Sequence, residues 1–336
     1  MNPSRLAAAL AAVLVAAAPV LAATEENVSR SFAVAPGGKL VIDVDFGAIE
    51  VSTNATSEVT VDVHRKVGLR SEAKEKEFLA ERPVTFQQDG DTVTIRARKA
   101  GKINWSWNWG GQKLEGKYTV RVPAKFNVKL DTSGGHIHVS DLTGDVKADT
   151  SGGGLKFARI HGPIHGDTSG GGIQLADCDG SIQVDTSGGG IESTGGSGTL
   201  RADTSGGSIS VKRFAGPAHL DTSGGGIKVE DIGGAVDAST SGGSISARLR
   251  SPLPGPVKLG TSGGGITVDA PADAAFDLDA DTSAGNVTCE LPITVAGKKE
   301  RGHLKGPVNG GGGPKVSLDT SAGSIRVRKF VADAVR

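Results

Sequence analysis

The residues best suited to chemistry are aspartates that recur at a fixed spacing. Asp131 opens the phrase Asp-Thr-Ser-Gly-Gly-His-Ile, which returns with small changes after every 18 residues. The leading aspartates are Asp131, Asp149, Asp167, Asp185, Asp203 and Asp221. In vertical register they would form a carboxylate ladder with a spacing of about 4.8 Å. Such a ladder could collect Ca²⁺, which prefers oxygen ligands.

A purely structural role for these aspartates is the simpler interpretation. Each carboxylate can accept hydrogen bonds from backbone N–H groups two or three residues later and close an Asx-type turn before Gly-Gly. The nonapeptide of calcium-binding solenoids is absent, and Ser239 and Gly260 occupy ladder positions without a charge. We therefore predict a structural repeat ladder, no metal site and no cofactor.

Every tryptophan lies in one segment, Trp105-Ser106-Trp107-Asn108-Trp109. At a period of two residues, Trp105, Trp107 and Trp109 would point to one side of an extended segment. They could contact a ligand or partner, because clustered exposed aromatic rings mark binding surfaces. They could equally plug the end of a hydrophobic core, and the sequence leaves both roles open.

The other reactive side chains form no catalytic or metal-binding motif. The seven histidines lack the spacing of zinc ligands, and neither a Gly-x-Ser-x-Gly elbow nor a phosphate-binding loop is present. Cys178 and Cys289 lie in distant repeats, so we expect two reduced core residues. We predict no catalytic residue, and the alternative is a polysaccharide lyase or hydrolase on a β-helix.

The elements that position these residues are short strands. Six and eight residues after each Asp the sequence is mostly apolar, with a polar residue between, as in Ile137-His138-Val139. A second alternation, as in Val146-Lys147, leads into the next Asp. Period-two alternation indicates strands with one buried face.

A coil that climbs one strand spacing per repeat explains the constant phase, because it stacks like residues on each other. An antiparallel meander would not require it. We therefore predict an all-β fold, a flattened β-solenoid of about 18-residue coils that bury a core only by stacking. In this fold Ile137, Leu155, Ile173 and Ile191 should lie over one another.

The sequence divides into four parts. Residues 1–22 read as a signal peptide, with Arg5, an apolar run and the cleavage site Val20-Leu21-Ala22. Residues 23–130 are a less regular β region and cap, with coils starting near residue 40 and one short helix over 70–82. Residues 131–330 carry the regular repeats, with a final coil from Asp319, and 331–336 form a tail.

Charge and hydropathy restrict partners and location. The chain has 37 basic and 37 acidic residues, a balance that gives no reason to expect nucleic acid as a partner. After residue 22 no apolar run is long enough to span a bilayer. We expect an exported protein without an integral membrane segment, in the periplasm, at the cell surface or outside the cell.

The chain resembles the bacterial "putative adhesin" family of β-strand-repeat proteins, a domain of unknown function. The resemblance rests on Pro36-Gly37-Gly38-Lys39-Leu40, on the segment from Tyr118 to Pro123, and on the repeated Thr-Ser-Gly-Gly-x-Ile. It covers residues 30–330 and implies a β-solenoid exported to the envelope, with adhesion assigned by analogy and no catalytic motif.

These observations favour a non-enzymatic adhesin or envelope-associated binding protein. Its strand faces and the Trp-rich segment would contact a glycan or an envelope protein. A scaffold that self-associates end to end is the other non-enzymatic hypothesis, and uncapped terminal coils would favour it.

Overall fold

The computed structural model describes residues 23–99, 113–295 and 301–330. In these ranges the chain forms two 14-stranded sheets, sheet A and sheet B, which enclose one continuous apolar core. The predicted signal peptide and tail lie outside the described residues. The described part contains no helix with the length and apolar character needed to cross a membrane.

The N-terminal part combines longer strands with one helix. Its elements are β1 (Thr24–Ala33), β2 (Lys39–Val44), β3 (Ala48–Asn54), β4 (Glu58–Gly68), α1 (Glu72–Ala80), β5 (Thr85–Asp89), β6 (Thr92–Ala97) and β7 (Lys113–Pro123). The helix begins after Ser71, whose side chain accepts a hydrogen bond from the backbone N–H of Lys74. Its buried residue, Glu75, accepts hydrogen bonds from Thr24 and so ties the helix to β1.

The middle of the chain is a regular succession of short strands, two per coil. They are β8 (Asn127–Thr132), β9 (Ile137–Ser140), β10 (Val146–Thr150), β11 (Leu155–Ala158), β12 (Ile164–Thr168), β13 (Ile173–Ala176), β14 (Asp179–Thr186), β15 (Ile191–Thr194), β16 (Ser197–Thr204), β17 (Ile209–Lys212), β18 (Ala218–Thr222), β19 (Ile227–Glu230), β20 (Val236–Thr240) and β21 (Ile245–Arg248).

The C-terminal part has longer connections. Its strands are β22 (Val257–Thr261), β23 (Ile266–Pro271), β24 (Phe276–Thr282), β25 (Val287–Cys289), β26 (His303–Val308), β27 (Lys315–Thr320) and β28 (Ile325–Phe330). Cys289 is only half-buried here, whereas Cys178 is buried as expected.

Successive coils stack in parallel and in register. In sheet A, Ile137 pairs with Leu155, Leu155 with Ile173, and Ile173 with Ile191. This confirms the predicted columns and the solenoid. Sheet A has the strand order β1-β4-β7-β3-β9-β11-β13-β15-β17-β19-β21-β23-β28-β25, and sheet B has the order β26-β24-β27-β22-β20-β18-β16-β14-β12-β10-β8-β2-β6-β5.

Close contact between coils explains the glycine at one turn position. A Cβ atom on Gly189 would lie 2.0 Å from the carbonyl oxygen of Gly171 in the preceding coil. Gly171 and Gly207 meet the same obstacle, at 2.1 and 2.0 Å. The turn therefore repeats its glycine because two backbones meet there.

Both ends of the stack depart from sequence order. At the N-terminal end, β2 lies between β6 and β8, and β3 lies between β7 and β9. At the other end, β27 lies between β22 and β24, and β28 lies between β23 and β25. The coil from Asp319 is therefore the last in the sequence but lies inside the stack.

Antiparallel strands cover three of the four sheet edges. β1 and β5 cover the N-terminal edges of sheets A and B, and β26 covers the C-terminal edge of sheet B. The fourth edge is the three-residue strand β25. The described ends therefore differ from the parallel coils of the middle, and end-to-end self-association stays a prediction.

Candidate functional site

The recurring aspartates form one column on the outer face of sheet B. In β10, Val146, Ala148 and Thr150 point into the core, while Lys147 and Asp149 alternate with them on the outside. Because equivalent residues pair between coils, the six predicted aspartates lie over one another. We call this surface, with its flanking side chains, the ladder face.

The column is longer than the sequence repeat indicated. Asp43 pairs with Asp131, so seven aspartates follow without interruption from Asp43 to Asp221. Asp43 escaped notice because its coil is irregular, although it stands six residues before Ile49, the spacing found in every repeat. After Ser239 and Gly260 the column resumes with Asp319 and then Asp281.

A second column, two residues before each Asp, carries mainly basic and polar groups. It contains Lys129, Lys147, His165, Gln183, Arg201, His219, Asp237 and Lys258. Side-chain nitrogens of His165, Arg201 and His219 lie 3.0, 2.9 and 2.7 Å from the carboxylates two residues later. The two columns together form a ridge in which the carboxylates stand beside mainly basic and polar side chains.

The carboxylates repel one another along the column. Burial foremost raises the pKa of Asp149, Lys147 opposes this, and the neighbouring Asp167 adds to it. Burial also raises the pKa of Asp203, with Arg201 opposing and Asp185 reinforcing. The basic column therefore compensates the ladder only in part.

A long groove runs beside the Asp column. It has a volume of about 760 Å³ and is lined by the Asp-Thr-Ser residues of successive coils from Asp131 to Ser241. The groove crosses seven coils, so its length is roughly 29 Å at the usual strand spacing. It presents carboxylates and serine hydroxyls at a constant interval along a straight path.

Two further grooves follow the coils. One lies on the other side of the ridge, has a volume of about 700 Å³ and runs past Gln183, Arg201, His219 and Lys258. The other lies on the outer face of sheet A, where Gly154, Gly172 and Gly190 leave a trough of about 750 Å³. All three grooves are periodic surfaces that extend over several coils.

The hydrogen bonds of the turn belong to Thr and not to Asp. Thr186 Oγ1 donates to the carbonyl oxygen of Gly171 in the preceding coil at 2.8 Å and accepts from the N–H of Gly189 at 3.3 Å. The same pair of bonds recurs at Thr150 and Thr168. The predicted Asx-type turn is therefore wrong, and the Asp side chains remain on the outer surface.

The N-terminal end of the ladder face is held by charged groups. Arg98 bridges the carboxylates of Asp43 and Asp131. Behind it, Arg82 Nε donates to Asp45 Oδ2 at 3.0 Å. Among the described residues, Asp45 Oδ1 and the hydroxyl of Tyr118 are buried without a hydrogen-bond partner, and burial foremost raises the pKa of Tyr118 to about 12.

One group of potential metal ligands lies at the C-terminal end of the column. Ligand atoms of Asp279, Asp281 and His303 lie within 4.8 Å of one another. However, Lys305 and Lys315 approach Asp279 Oδ2 at 3.2 and 3.1 Å. Burial alone would raise the pKa of Asp279, but these two ammonium groups outweigh it and lower the pKa. They would compete with a cation at this position.

The predicted aromatic platform lies outside the described residues. Trp105, Trp107 and Trp109 belong to the connection between β6 and β7, and their role stays a prediction. The six aspartates that line the groove are equivalent members of one column. The arrangement offers repeated hydrogen bonding and charge along a line.

Several solved structures are similar to this chain at low sequence identity. One is described as a putative adhesin from Bacteroides fragilis, with 12% identity, a TM-score of 0.32 and coverage of 91% of this chain and 97% of that chain. Another is a putative adhesin from Parabacteroides merdae, with 10% identity, a TM-score of 0.37 and coverage of 91% and 96%. A third is described as a putative lipid binding protein from Parabacteroides distasonis, with 12% identity, a TM-score of 0.38 and coverage of 90% and 96%.

A family model described as "Toastrack DUF4097" matches residues 38–328. This range includes the whole ladder face and leaves out β1. No curated protein matches the chain.

Proposed function

The chain belongs to the Toastrack DUF4097 family, and on this premise we propose that it is a non-enzymatic binding protein that holds an extended glycan along the ladder face. Residues 1–22 direct its export, and it acts in the periplasm, at the cell surface or outside the cell. An adhesin or an envelope-associated scaffold is the corresponding biological role.

The continuity of the groove beside the Asp column carries this proposal. The groove passes six coils that each present an Asp and ends at a seventh coil, where Ser239 takes its place. A folded protein partner presents an irregular surface, whereas a polymer repeats its own hydrogen-bonding groups along a line. A ligand with periodic hydroxyl groups is therefore the best match for a periodic row of acceptors.

The charges favour a neutral or amino-bearing glycan. Carboxylates act only as acceptors and bind hydroxyl or ammonium donors. The serine hydroxyls of the groove both donate and accept. An acidic polysaccharide would meet the aspartates directly, and like charges in contact are unfavourable.

The equivalence of the coils supports a binding role without catalysis. Hydrolysis of a glycosidic bond commonly uses two carboxyl groups in different environments, with separated pKa values. Along the ladder face each Asp repeats the position of its neighbour. The Trp-rich segment is a second contact region in this proposal, because aromatic rings pack against sugar rings.

A glycan array with matched variants tests the proposal. The ladder variant replaces Asp167, Asp185 and Asp203 with Asn, which removes three charges and retains the shape of the groove. We expect wild type to bind a neutral or amino-bearing glycan and the ladder variant to lose most of that binding. A second variant with Trp105, Trp107 and Trp109 replaced by Ala measures the contribution of the aromatic segment.

The control variant replaces Asp141, Asp177 and Asp231 with Asn. It makes the same change in charge at turns away from the groove, where positive φ angles of 64°, 52° and 58° are compatible with Asn. This variant should bind like wild type. Equal binding by wild type and the ladder variant would refute the assigned surface, and release of new reducing ends from the bound glycan would refute the non-enzymatic role.

A further inference from the structure

The coil formed by β27 and β28, residues 315–330, is the last in sequence but not in space. It lies between the coil of β22 and β23 and the coil of β24 and β25. From β8 to β23, by contrast, each coil pairs with the coil that precedes or follows it in sequence. We call residues 315–330 the inserted coil and the space that it fills the slot.

The two walls of the slot are complementary to each other as well as to the inserted coil. Val316 pairs with Val257 on one side and with Leu278 on the other, and Thr320 pairs with Thr261 and Thr282. If the inserted coil left, β24 could therefore pair with β22 in the same register. Lys258 would then face Asp279, so opposite charges would meet. The slot can close without a register shift.

The inserted coil is held in the slot by side-chain contacts, which do not depend on how the coil is connected to the rest of the chain. Arg328 Nε lies 2.7 Å from Asp269 Oδ1 on one wall. Lys315 Nζ lies 3.1 Å from Asp279 Oδ2 on the other wall. Any copy of residues 315–330 placed in the slot would make the same contacts.

The connection to the inserted coil is longer than its path requires. Residues 309–314, Asn-Gly-Gly-Gly-Gly-Pro, lead from β26 across β24 to β27. Two strand spacings amount to roughly 10 Å, whereas six extended residues span roughly 20 Å. Asn309, Gly310, Gly311 and Gly312 all have positive φ angles, so the loop is folded back on itself and holds surplus length.

We propose that the inserted coil is exchanged between two copies of this chain, so that residues 315–330 of each copy fill the slot of the other. Exchange of an identical element preserves every native contact and is a low-cost route to a dimer. The out-of-order insertion supplies the slot, the matching walls let it open and close in register, and the glycine-rich loop supplies the reach. The partner is therefore a second copy of the chain.

Disulfide trapping between two different variants tests the exchange. Lys258 and Ser317 are register partners on the outer face of sheet B, and adjacent strands lie close enough for a disulfide. One chain carries Lys258→Cys and the other Ser317→Cys, both with Cys178→Ala and Cys289→Ala. The folded proteins are mixed, warmed below the unfolding transition and oxidised. We expect a disulfide-linked species of twice the chain mass.

A matched control uses two coils that are consecutive in sequence. Lys147 and His165 are also register partners on the outer face of sheet B. Chains with Lys147→Cys and His165→Cys in the same background, mixed in the same way, should give no linked species above that of each chain alone. An equal yield from the test and control pairs would show random collision and overturn the proposal, as would no linked species from the test pair.

Shortening the loop provides an independent test. Deletion of Gly310, Gly311 and Gly312 leaves three residues, which span roughly 10 Å when fully extended and barely reach the chain's own slot. Without the surplus length the inserted coil can no longer reach a second copy, so in this background the Lys258→Cys and Ser317→Cys pair should give no linked species above that of each chain alone. An undiminished yield from the folded variant would contradict the role of the loop in the exchange.

Discussion

Two adjacent glycines allow a sharp test of coil packing, because only one of them touches the preceding coil. A Cβ atom on Gly189 would lie 2.0 Å from the carbonyl oxygen of Gly171, whereas a Cβ atom on Gly188 would have its nearest neighbour, Gly170 O, at 3.4 Å. Both glycines belong to the same turn, and neither has a positive φ angle. The variants Gly189→Ala and Gly188→Ala therefore differ mainly in steric contact.

The expected loss of stability follows from the hydrogen bonds that would break if the two coils moved apart. To lengthen the distance between the Cβ atom on residue 189 and the carbonyl oxygen of Gly171 from 2.0 Å to 3.4 Å, an ordinary contact distance, the two backbones must separate by about 1.4 Å. Such a shift would break the bond from Gly188 N–H to Ser169 O and the bond from Thr186 Oγ1 to Gly171 O, now 3.0 and 2.8 Å. At about 1 kcal/mol for each bond, with further loss of packing, we expect Gly189→Ala to cost about 3 kcal/mol.

Urea unfolding followed by far-UV circular dichroism measures the difference. Gly188→Ala should be neutral or stabilise by up to about 1 kcal/mol, because Ala restricts the unfolded chain more than Gly does. Since stacked repeats can unfold in parts, hydrogen exchange at the N–H groups of Gly188 and Ile191, which donate to neighbouring coils, gives a local measurement of the same effect. Equal stability of the two alanine variants would refute the close approach of backbones at this turn.

Three further predictions concern the turn, the ladder face and the cap, and each is measured by urea unfolding. Thr186→Val should lower the free energy of unfolding by about 2 kcal/mol because two backbone groups lose their partner, whereas Thr186→Ser, which keeps the hydroxyl, should cost about 1 kcal/mol. Asp149, whose pKa is raised mainly by burial, contributes stability that is complete below its ordinary pKa and lost as pH rises through the raised value. Asp149→Asn should therefore stabilise the protein at neutral pH and lose that advantage in acid. Asp141→Asn should destabilise the protein at neutral pH, because the hydrogen bond from Arg159 lowers the pKa of Asp141. Equal effects of Asp149→Asn and Asp141→Asn on stability would contradict this. Arg65 is fully buried and donates to Glu26 and to the carbonyl oxygen of Arg82, so Arg65→Met should cost about 3 kcal/mol. Combining it with Glu26→Met should cost less than the sum of the single changes, and strict additivity would refute the pairing.

The stacked core could be predicted from the sequence because its signal is local and repeated. The alternation around Ile137 recurs in every unit, and only stacking in register explains a constant phase. The inward direction of Thr150 could also be predicted from the alternation along the strand. Thr150 falls on the same face as Val146 and Ala148, whereas Asp149 falls on the face of Lys147. The Asx-type turn is wrong because this alternation places Asp149 on the outer face and leaves the inward Thr150 to bond the turn.

The order of coils at the two ends could not be predicted, because like coils are interchangeable as neighbours. Thr320 can pair equally with Thr261 or Thr282, and the pattern of residues does not state which coil lies between which. Connection length and the antiparallel strands β1, β5 and β26 decide the order. Arg98 likewise bridges Asp43 and Asp131, which are far apart in sequence and share no motif with it. This contact is therefore visible only in the folded chain.

The interleaved ends restrict where the number of coils in the stack can change. Each end is a closed assembly in which early and late segments interlock, whereas the middle coils simply follow one another from Asp131 to Gly260. Duplication or loss of one 18-residue unit in this middle would alter the rod by roughly 4.8 Å and leave both termini with their present neighbours. The architecture therefore behaves as an adjustable spacer, whose reach can be reset by tandem duplication in whole units.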